Sequence, residues 1–307
     1  MAIEKFIDKN FQQKTLDIIQ HAVEITTDYQ RRGFTLTLRQ LYYQFVARDI
    51  LPNKQSEYKR LGTIIDEARQ AGLIDWSTIE DRTRNVKYPS AWSSPAEILR
   101  VVADQYKENP WLKQRYRPEV WIEKDALMGV IESICEDLRV PYFACRGYAS
   151  QSEIYAAGKR FQAQRRAGFR PVVFYLGDHD PSGIHMPNDA ATRLELFSRG
   201  FVEVRRLALN MDQIEEYNPP PNPAKDTDSR FTRYEEEFGS ESWELDALDP
   251  EVLQDLIQEE LINVRDEDAW EASMDEEQEN RESLVAAYEN WDAVKRYLDT
   301  LDNEDDE

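Results

Sequence analysis

Two short apolar runs that end in acidic residues constrain this 307-residue chain most strongly. Residues 172–176 (VVFYL) lead to Asp178 and Asp180, and residues 120–122 (VWI) lead to Glu123. Each run is followed by a helical pattern, an alternation typical of parallel strands in an α/β sheet. Because ligands bind beyond the carboxyl ends of such strands, we expect the three acids to converge at one edge.

The chemistry of these three carboxylates indicates a metal ion. Hard oxygen ligands without a nearby Cys or His pair suit Mg²⁺ or Mn²⁺ rather than zinc. A lone Asp-x-Asp, or a lone Glu at a strand end, is more often a solvated carboxylate than a ligand. Three acids in order within a repeated strand–helix pattern favour a divalent-metal site for phosphodiester chemistry.

The strand–helix alternation extends over residues 117–210. Further strands are predicted at 141–144 and from 202, with helices at 125–138, 151–167 and 188–199. Alternation of this kind predicts parallel pairing with right-handed crossovers, in one small Rossmann-like domain.

Three segments of this block, taken in order, resemble a TOPRIM domain: 122–126 (IEKDA), 146–148 (RGY) and 176–184 (LGDHDPSGI). The resemblance is to the version in the A subunit of DNA topoisomerase VI and in its relative, the meiotic double-strand-break transesterase. It implies that Glu123, Asp178 and Asp180 hold Mg²⁺. The chain departs from the family pattern at His185, where an acid is expected, so a second metal position is not implied.

Residues 35–90 are predicted to form a winged helix-turn-helix. A helix begins after Thr37 as its N-cap, a second helix runs over 57–70, and residues 75–84 are expected to form a short strand pair. The second helix and the wing carry basic side chains suited to DNA phosphate contacts, namely Lys59, Arg60, Arg69, Arg82, Arg84 and Lys87.

Residues 39–43 (RQLYY) resemble the Arg-x-x-Tyr-Tyr segment of the same family's catalytic winged helix. The resemblance implies that Tyr43 attacks a DNA phosphate and stays attached to the 5′ end, while Arg39 stabilises charge on the phosphate. A phenol with a pKa near 10 needs a cation or metal to act as a nucleophile at neutral pH. Tyrosines on helices are usually packing residues, so a structural role for Tyr42 or Tyr43 stays open.

Two later segments, 207–219 and 243–248, resemble the stretch that follows the TOPRIM domain in the topoisomerase A subunit. The resemblance therefore covers residues 35–262, in patches. It implies a homodimer on double-stranded DNA, with the tyrosine of one protomer opposite the metal site of the other.

The net charge of −22 is unevenly distributed. Residues 1–210 carry 31 Lys and Arg against 27 Asp and Glu, a net charge of +4, whereas residues 211–307 carry 7 against 33, a net charge of −26. Residues 1–210 are thus compatible with a polyanionic partner.

The remaining segments are assigned from their sequence patterns. Residues 1–34 are predicted to be a helical segment, 91–116 a connector, and 211–307 an acidic, mostly helical region with helices at 250–262 and 282–301. That region is either a solvated extension or an internal mimic of DNA.

Composition narrows the location and the partners. The sequence has no apolar segment of membrane-spanning length, and Cys135 and Cys145 lack metal-ligand spacing, so we expect a cytoplasmic protein without membrane contact. It has no Walker-type phosphate loop, so any ATP dependence must come from a separate ATPase subunit.

Three functions remain open at this point. The first is a Mg²⁺-dependent, type IIB topoisomerase-like transesterase that cuts DNA through Tyr43. The second is a hydrolytic TOPRIM nuclease in which water attacks. The third is a non-catalytic DNA-binding module that acts with an ATPase.

Overall fold

The computed structural model describes residues 3–80 and 91–304, with side chains described up to residue 300. The predicted α/β class is confirmed, because four strands form an all-parallel sheet with helices between them. The described residues fall into two compact units, one within 1–85 and 117–263 and the other within 86–116 and 264–307. The five segments predicted from the sequence are therefore distributed over two units.

The first unit begins with three helices: α1 (Gln13–Arg31), α2 (Leu38–Ala47) and α3 (Gln55–Gln70). The predicted cap of α2 is confirmed. The Thr37 side chain accepts a hydrogen bond from the Gln40 backbone, and the Gln40 side chain accepts one from the Thr37 N–H at 2.9 Å. Leu61, Ile64, Ile65 and Ala68 of α3 are buried, in a core shared by all three helices.

Residues 75–80 do not form the first strand of the predicted pair. The Asp75 carboxylate accepts a hydrogen bond from the Ser77 N–H at 2.8 Å and starts a 3-10 turn over Trp76–Thr78. Ile79 then makes a single parallel bridge with Leu36. A short side-chain cap therefore favours a helical turn over an extended strand here. Residues 81–90, including the predicted DNA-contacting Arg82 and Arg84 as well as Lys87, lie outside the described residues.

Helix α4 (Pro95–Gln105) belongs to the second unit. The Ser94 side chain caps it by accepting a hydrogen bond from the Glu97 N–H at 3.1 Å, and Pro95 occupies the first turn, where no backbone donor is needed.

The parallel sheet of the first unit has the order β2-β1-β3-β4. Its strands are β1 (Tyr116–Ile122), β2 (Tyr142–Ala144), β3 (Arg170–Leu176) and β4 (Glu203–Ala208). The intervening helices are α5 (Met128–Asp137), α6 (Gln151–Arg166) and α7 (Met186–Ser198). The predicted alternation of strands and helices over 117–210 is confirmed.

The central strands, β1 and β3, are buried on both faces of the sheet. This burial explains why their sequences are continuous apolar runs. Trp121, Val173 and Tyr175 pack in one cluster with apolar side chains of α6 and α7. Val120, Val172 and Phe174, which alternate with them, are fully buried as well. This packing holds the carboxyl ends of β1 and β3 side by side.

After β4 the chain returns to that edge of the sheet. It forms α8 (Met211–Tyr217), β5 (Asn222–Pro223), α9 (Phe231–Phe238), β6 (Glu241–Ser242) and α10 (Pro250–Val264), and β5 pairs with β6 antiparallel. His179 and Trp243 exchange two backbone hydrogen bonds, of 2.8 and 2.9 Å. These bonds join the segment after β6 to the loop after β3.

The second unit also contains α11 (Glu267–Glu289) and α12 (Trp291–Glu304). The single helix predicted over 282–301 is instead divided between them at Asn290, which leaves the helical conformation. The rings of Trp111 and Trp270 meet edge to face with centroids 5.6 Å apart. Among the described helices of either unit, none is both long and apolar enough to cross a membrane.

Candidate active site

Two of the predicted acids meet where β1 and β3 end. The Glu123 N–H donates to the Leu176 carbonyl at 2.8 Å, and Glu123 Oε2 accepts a hydrogen bond from the Asp178 N–H at 3.0 Å. Gly177 allows this approach, because a Cβ atom there would lie 2.8 Å from Glu123 Oε2. The strand ends and the glycine thus bring Glu123 and Asp178 together, as the sequence predicts.

Both of these carboxylates are buried. Burial and the nearby Asp178 charge raise the pKa of Glu123 to about 7. Burial raises the pKa of Asp178 to about 6, although Lys124 opposes the rise. Two buried carboxyls that resist ionisation together form a site that a cation stabilises.

Asp180 is held by its own loop. Its Oδ1 accepts hydrogen bonds from the Ser182 hydroxyl at 2.9 Å and the Gly183 N–H at 2.6 Å. A Cβ atom at residue 183 would lie 2.1 Å from the Asp178 carbonyl oxygen, so the loop requires glycine there. The Arg206 guanidinium donates hydrogen bonds to the carbonyls of Asp178 at 2.7 Å and Gly183 at 2.8 Å. These two bonds hold the ends of the loop together.

Lys124 is the cation nearest the acids. Its Nζ lies 2.8 Å from Asp178 Oδ1, 2.9 Å from Glu244 Oε2 and 2.5 Å from Asp246 Oδ1. Although burial opposes it, Asp178 and Asp246 raise the pKa of Lys124, so the ammonium stays charged. The Leu245 N–H also donates to Asp178 Oδ1 at 2.8 Å.

Arg39 reaches the same two acids from α2. Its Nε lies 2.5 Å from Asp246 Oδ2, and its guanidinium also pairs with Glu244. Burial disfavours ionisation of Glu244, but Lys124 and Arg39 outweigh it and hold the pKa of Glu244 at about 2. We call Arg39, Lys124, Glu244 and Asp246 the ion bridge.

The two adjacent tyrosines have different surroundings. Tyr42 packs in the core of the N-terminal helices, and its hydroxyl accepts a hydrogen bond from the Lys54 N–H at 2.7 Å. Tyr43 lies next to the ion bridge, with the Arg39 guanidinium 5.7 Å from the centre of its ring. Burial and the Glu244 charge raise the pKa of the Tyr43 phenol well above its ordinary value. Tyr42 is therefore structural, whereas Tyr43 belongs to the polar cluster.

The predicted DNA-contacting residues that the structure describes differ in whether their side chains are exposed to a partner. Lys59 and Arg60 are exposed on α3, and Arg60 pairs with Glu57 at 2.7 Å. Arg69 donates to the carbonyls of Trp76, at 2.8 Å, and Ile79, and burial lowers its pKa. The Arg69 side chain thus fixes the 3-10 turn.

The carboxylates of Glu123, Asp178 and Asp180 are chemically suited to bind a divalent cation. Those of Glu123 and Asp178 are buried beside each other. Among the side chains that the structure describes, no three His, Cys, Asp or Glu groups are close enough to share one ion. In this arrangement one oxygen of Asp178 is engaged by Lys124.

Sequence reasoning missed the ion bridge as a unit. Lys124 directly follows Glu123, and residues 243–248 are among those that resemble the topoisomerase segment, but neither signal shows that Glu244 and Asp246 contact Lys124. Arg206 was also missed, because a buried arginine bound to backbone carbonyls has no local sequence pattern.

Comparison of the chain with protein-family models and with curated protein sequences gives no match.

Proposed function

We propose that this protein is a Mg²⁺-dependent, topoisomerase VI A-like enzyme that cleaves double-stranded DNA through Tyr43. One observation carries the proposal. The ion bridge connects Arg39, four residues before Tyr43, to Lys124, which follows Glu123 and contacts Asp178. Residues from α2 and from the sheet edge thus share one polar cluster.

Tyr43 would form the covalent bond. Its oxygen attacks phosphorus as the phenol proton passes to water, the bond from phosphorus to the 3′ oxygen breaks, that oxygen takes up a proton from water, and the protein stays on the 5′ phosphate. Burial and the Glu244 charge raise the pKa of the phenol, so it is protonated before the attack. Arg39, beside the ring, would stabilise the negative charge that develops on the phosphate.

Glu123, Asp178 and Asp180 would hold Mg²⁺, or Mn²⁺ in its place, which requires the three carboxylates to move closer together than they lie in the structure. A bound ion neutralises the phosphate and stabilises the leaving 3′ oxygen. Lys124 neutralises Asp178 in the present arrangement, so we infer that it yields an oxygen of Asp178 when the ion binds.

The ion bridge supports a site assembled within one chain. The family resemblance implies instead that the tyrosine acts across a dimer, and two copies are in either case needed to cut both strands. We propose a homodimer whose protomers each supply one complete site. Strand passage would require a separate ATPase.

A hydrolytic nuclease is the second candidate, and one observation favours it. Tyr43 is only 4% exposed, so its hydroxyl must be uncovered before it can reach a phosphate. Water attack at the acid site would not need that movement.

Plasmid cleavage distinguishes the two. Supercoiled DNA is incubated with protein and Mg²⁺ or Mn²⁺, stopped with detergent, and analysed with and without protease. We expect DNA ends that carry protein at the 5′ side, lost in Tyr43→Phe and in Asp178→Ala. The matched control is Tyr58→Phe, because Tyr58 packs against Tyr42 in the helical core. Free ends, with Tyr43→Phe still active, would establish hydrolysis instead.

A further inference from the structure

A cavity of about 320 Å³ lies directly beside the loop that carries Asp180. Pro181 and Ile184 of that loop line it, opposite side chains of α9 and the residues before it. Phe238 adds apolar surface, and Arg230 and Arg233 add positive charge. An apolar lining with a few charged groups is typical of a small-molecule site, and the volume is at the lower end of that class. We call this the α9 cavity.

The aromatic wall of the α9 cavity is fixed by hydrogen bonds. The Tyr234 hydroxyl lies 2.7 Å from His179 Nδ1 and 2.9 Å from the His179 carbonyl oxygen. The His179 ring meets the Phe238 ring edge to face, with centroids 4.8 Å apart. These contacts hold the rings of Tyr234 and Phe238 in place where they line the cavity.

Tyr148 lies beside the cavity and contacts two of its lining residues. Its hydroxyl lies 3.0 Å from His185 Nδ1, and the Arg230 guanidinium lies 5.4 Å from the centre of its ring. Asp228 orients Arg230 through a contact of 3.1 Å. Tyr148 is 38% exposed, so part of its surface remains available to a planar group.

The positive charge beside the cavity is only partly neutralised. Arg230 has Asp228 as its partner, whereas Arg233 is exposed and pairs with no acidic side chain in the described part of the chain. Glu237 also lines the cavity. An unpaired guanidinium beside aromatic rings suits a phosphate attached to a base.

We propose that the α9 cavity binds one unpaired nucleotide of the DNA strand next to the cleavage site. The base packs against Phe238 and Ile184, and the phosphate is bound by Arg230 and Arg233. A base inside the duplex is stacked between its neighbours, so a nucleotide that enters the cavity must leave the stack. The inference rests on the proposed function in one respect, namely that the strand passes Asp180.

A strand fits these features better than a free nucleotide does. Tyr148 lines a second cavity, of about 590 Å³, which contains Arg146. The contact between Tyr148 and His185 thus joins a residue of the second cavity to a residue of the α9 cavity, and arginines line both. Alternating cationic and stacking groups are typical of single-strand binding.

Fluorescence anisotropy in EDTA, where cleavage is suppressed, tests the proposal. Three labelled DNAs are compared: a duplex, the same duplex with one unpaired thymidine, and the same duplex with an abasic unit in place of that thymidine. We expect the unpaired thymidine to improve the Kd at least about fivefold over both others, the lower end for one stacked base. The abasic DNA separates base recognition from flexibility.

Three variants assign the effect. Tyr148→Ala and Arg233→Ala should each remove most of the preference, whereas Arg166→Ala, an exposed arginine in the last turn of α6, should keep it. Equal binding of all three DNAs by the intact protein would overturn the inference, as would a preference that both variants retain. Loss of the preference with micromolar thymidine monophosphate would reassign the cavity to a free nucleotide and overturn the strand assignment.

The same protein preparations are assayed for cleavage, which separates the two proposals. A base preference without cleavage would count against the proposed activity and leave the α9 cavity assignment standing. Cleavage without a base preference would count against the α9 cavity assignment and leave the proposed activity standing.

Discussion

Asp246 offers the sharpest test of the ion bridge. Its side chain is 1% exposed, and its two oxygens are each 2.5 Å from a cation, Lys124 Nζ on one side and Arg39 Nε on the other. Asp246→Asn keeps the size of the side chain and removes its charge. One of the two cations then faces an amide group in place of a carboxylate.

The expected loss follows from burial. Removing one partner of a buried ion pair costs about 3–5 kcal/mol. Two features reduce this value, because Glu244 still contacts both cations and the Arg39 side chain is 40% exposed. We therefore expect the free energy of unfolding to fall by about 2–3 kcal/mol. Equilibrium unfolding in urea at pH 7 measures it as a shift of the midpoint.

Two further variants make the result interpretable. Glu57→Gln removes a pair with the exposed Arg60 and should cost only about 0.5 kcal/mol or less. Arg39→Gln combined with Asp246→Asn should cost less than the sum of the single changes, because the two residues share one contact. A loss below about 1 kcal/mol for Asp246→Asn, or strict additivity, would refute the reasoning.

Three other predictions follow from the same site. Because its pKa is raised, folded Glu123 binds a proton more tightly than the unfolded chain between about pH 4.5 and 7, so the free energy of unfolding should fall as pH rises through that window. Glu123→Gln should flatten this dependence of stability on pH, measured by urea unfolding at several pH values. Equal slopes for the variant and the intact protein would count against the raised pKa of Glu123. Gly177→Ala should lower stability by about 1–3 kcal/mol, seen as a lower Tm, because its Cβ meets Glu123; an unchanged Tm would contradict the packing. Mixing Tyr43→Phe with Asp178→Ala should restore no plasmid cleavage, since each site lies within one chain; restored cutting would show assembly across a dimer.

The sheet and its acids could be predicted because the signals are local. A buried parallel strand reads as an apolar run, and the residue after it lies at the edge of the sheet, so Glu123 and Asp178 could be placed from pattern alone. The cap of α2 was equally predictable, since Thr37 and Gln40 are three residues apart.

The ion bridge could not be predicted because its contacts are distant in sequence. Lys124 and Glu244 are separated by 120 residues, and the pairing of His179 with Trp243 and the contact of Leu245 with Asp178 help to bring them together. The turn at Trp76–Thr78 was missed for a different reason, since one capping carboxylate outweighed the tendency to extend. The differences between the predicted and the observed structure thus come from two sources: competition between a helical turn and a strand at 76–78, and contacts between residues far apart in the sequence.

The most direct test of the central claim is to identify the residue that carries DNA. Protein that has reacted with plasmid and Mg²⁺ is digested with nuclease and protease, and the peptides are analysed by mass spectrometry. We expect a nucleotide linked through its 5′ phosphate to Tyr43, and no such adduct in Asp178→Ala. Cleaved DNA without any tyrosine adduct, or an adduct on another tyrosine, would contradict the account.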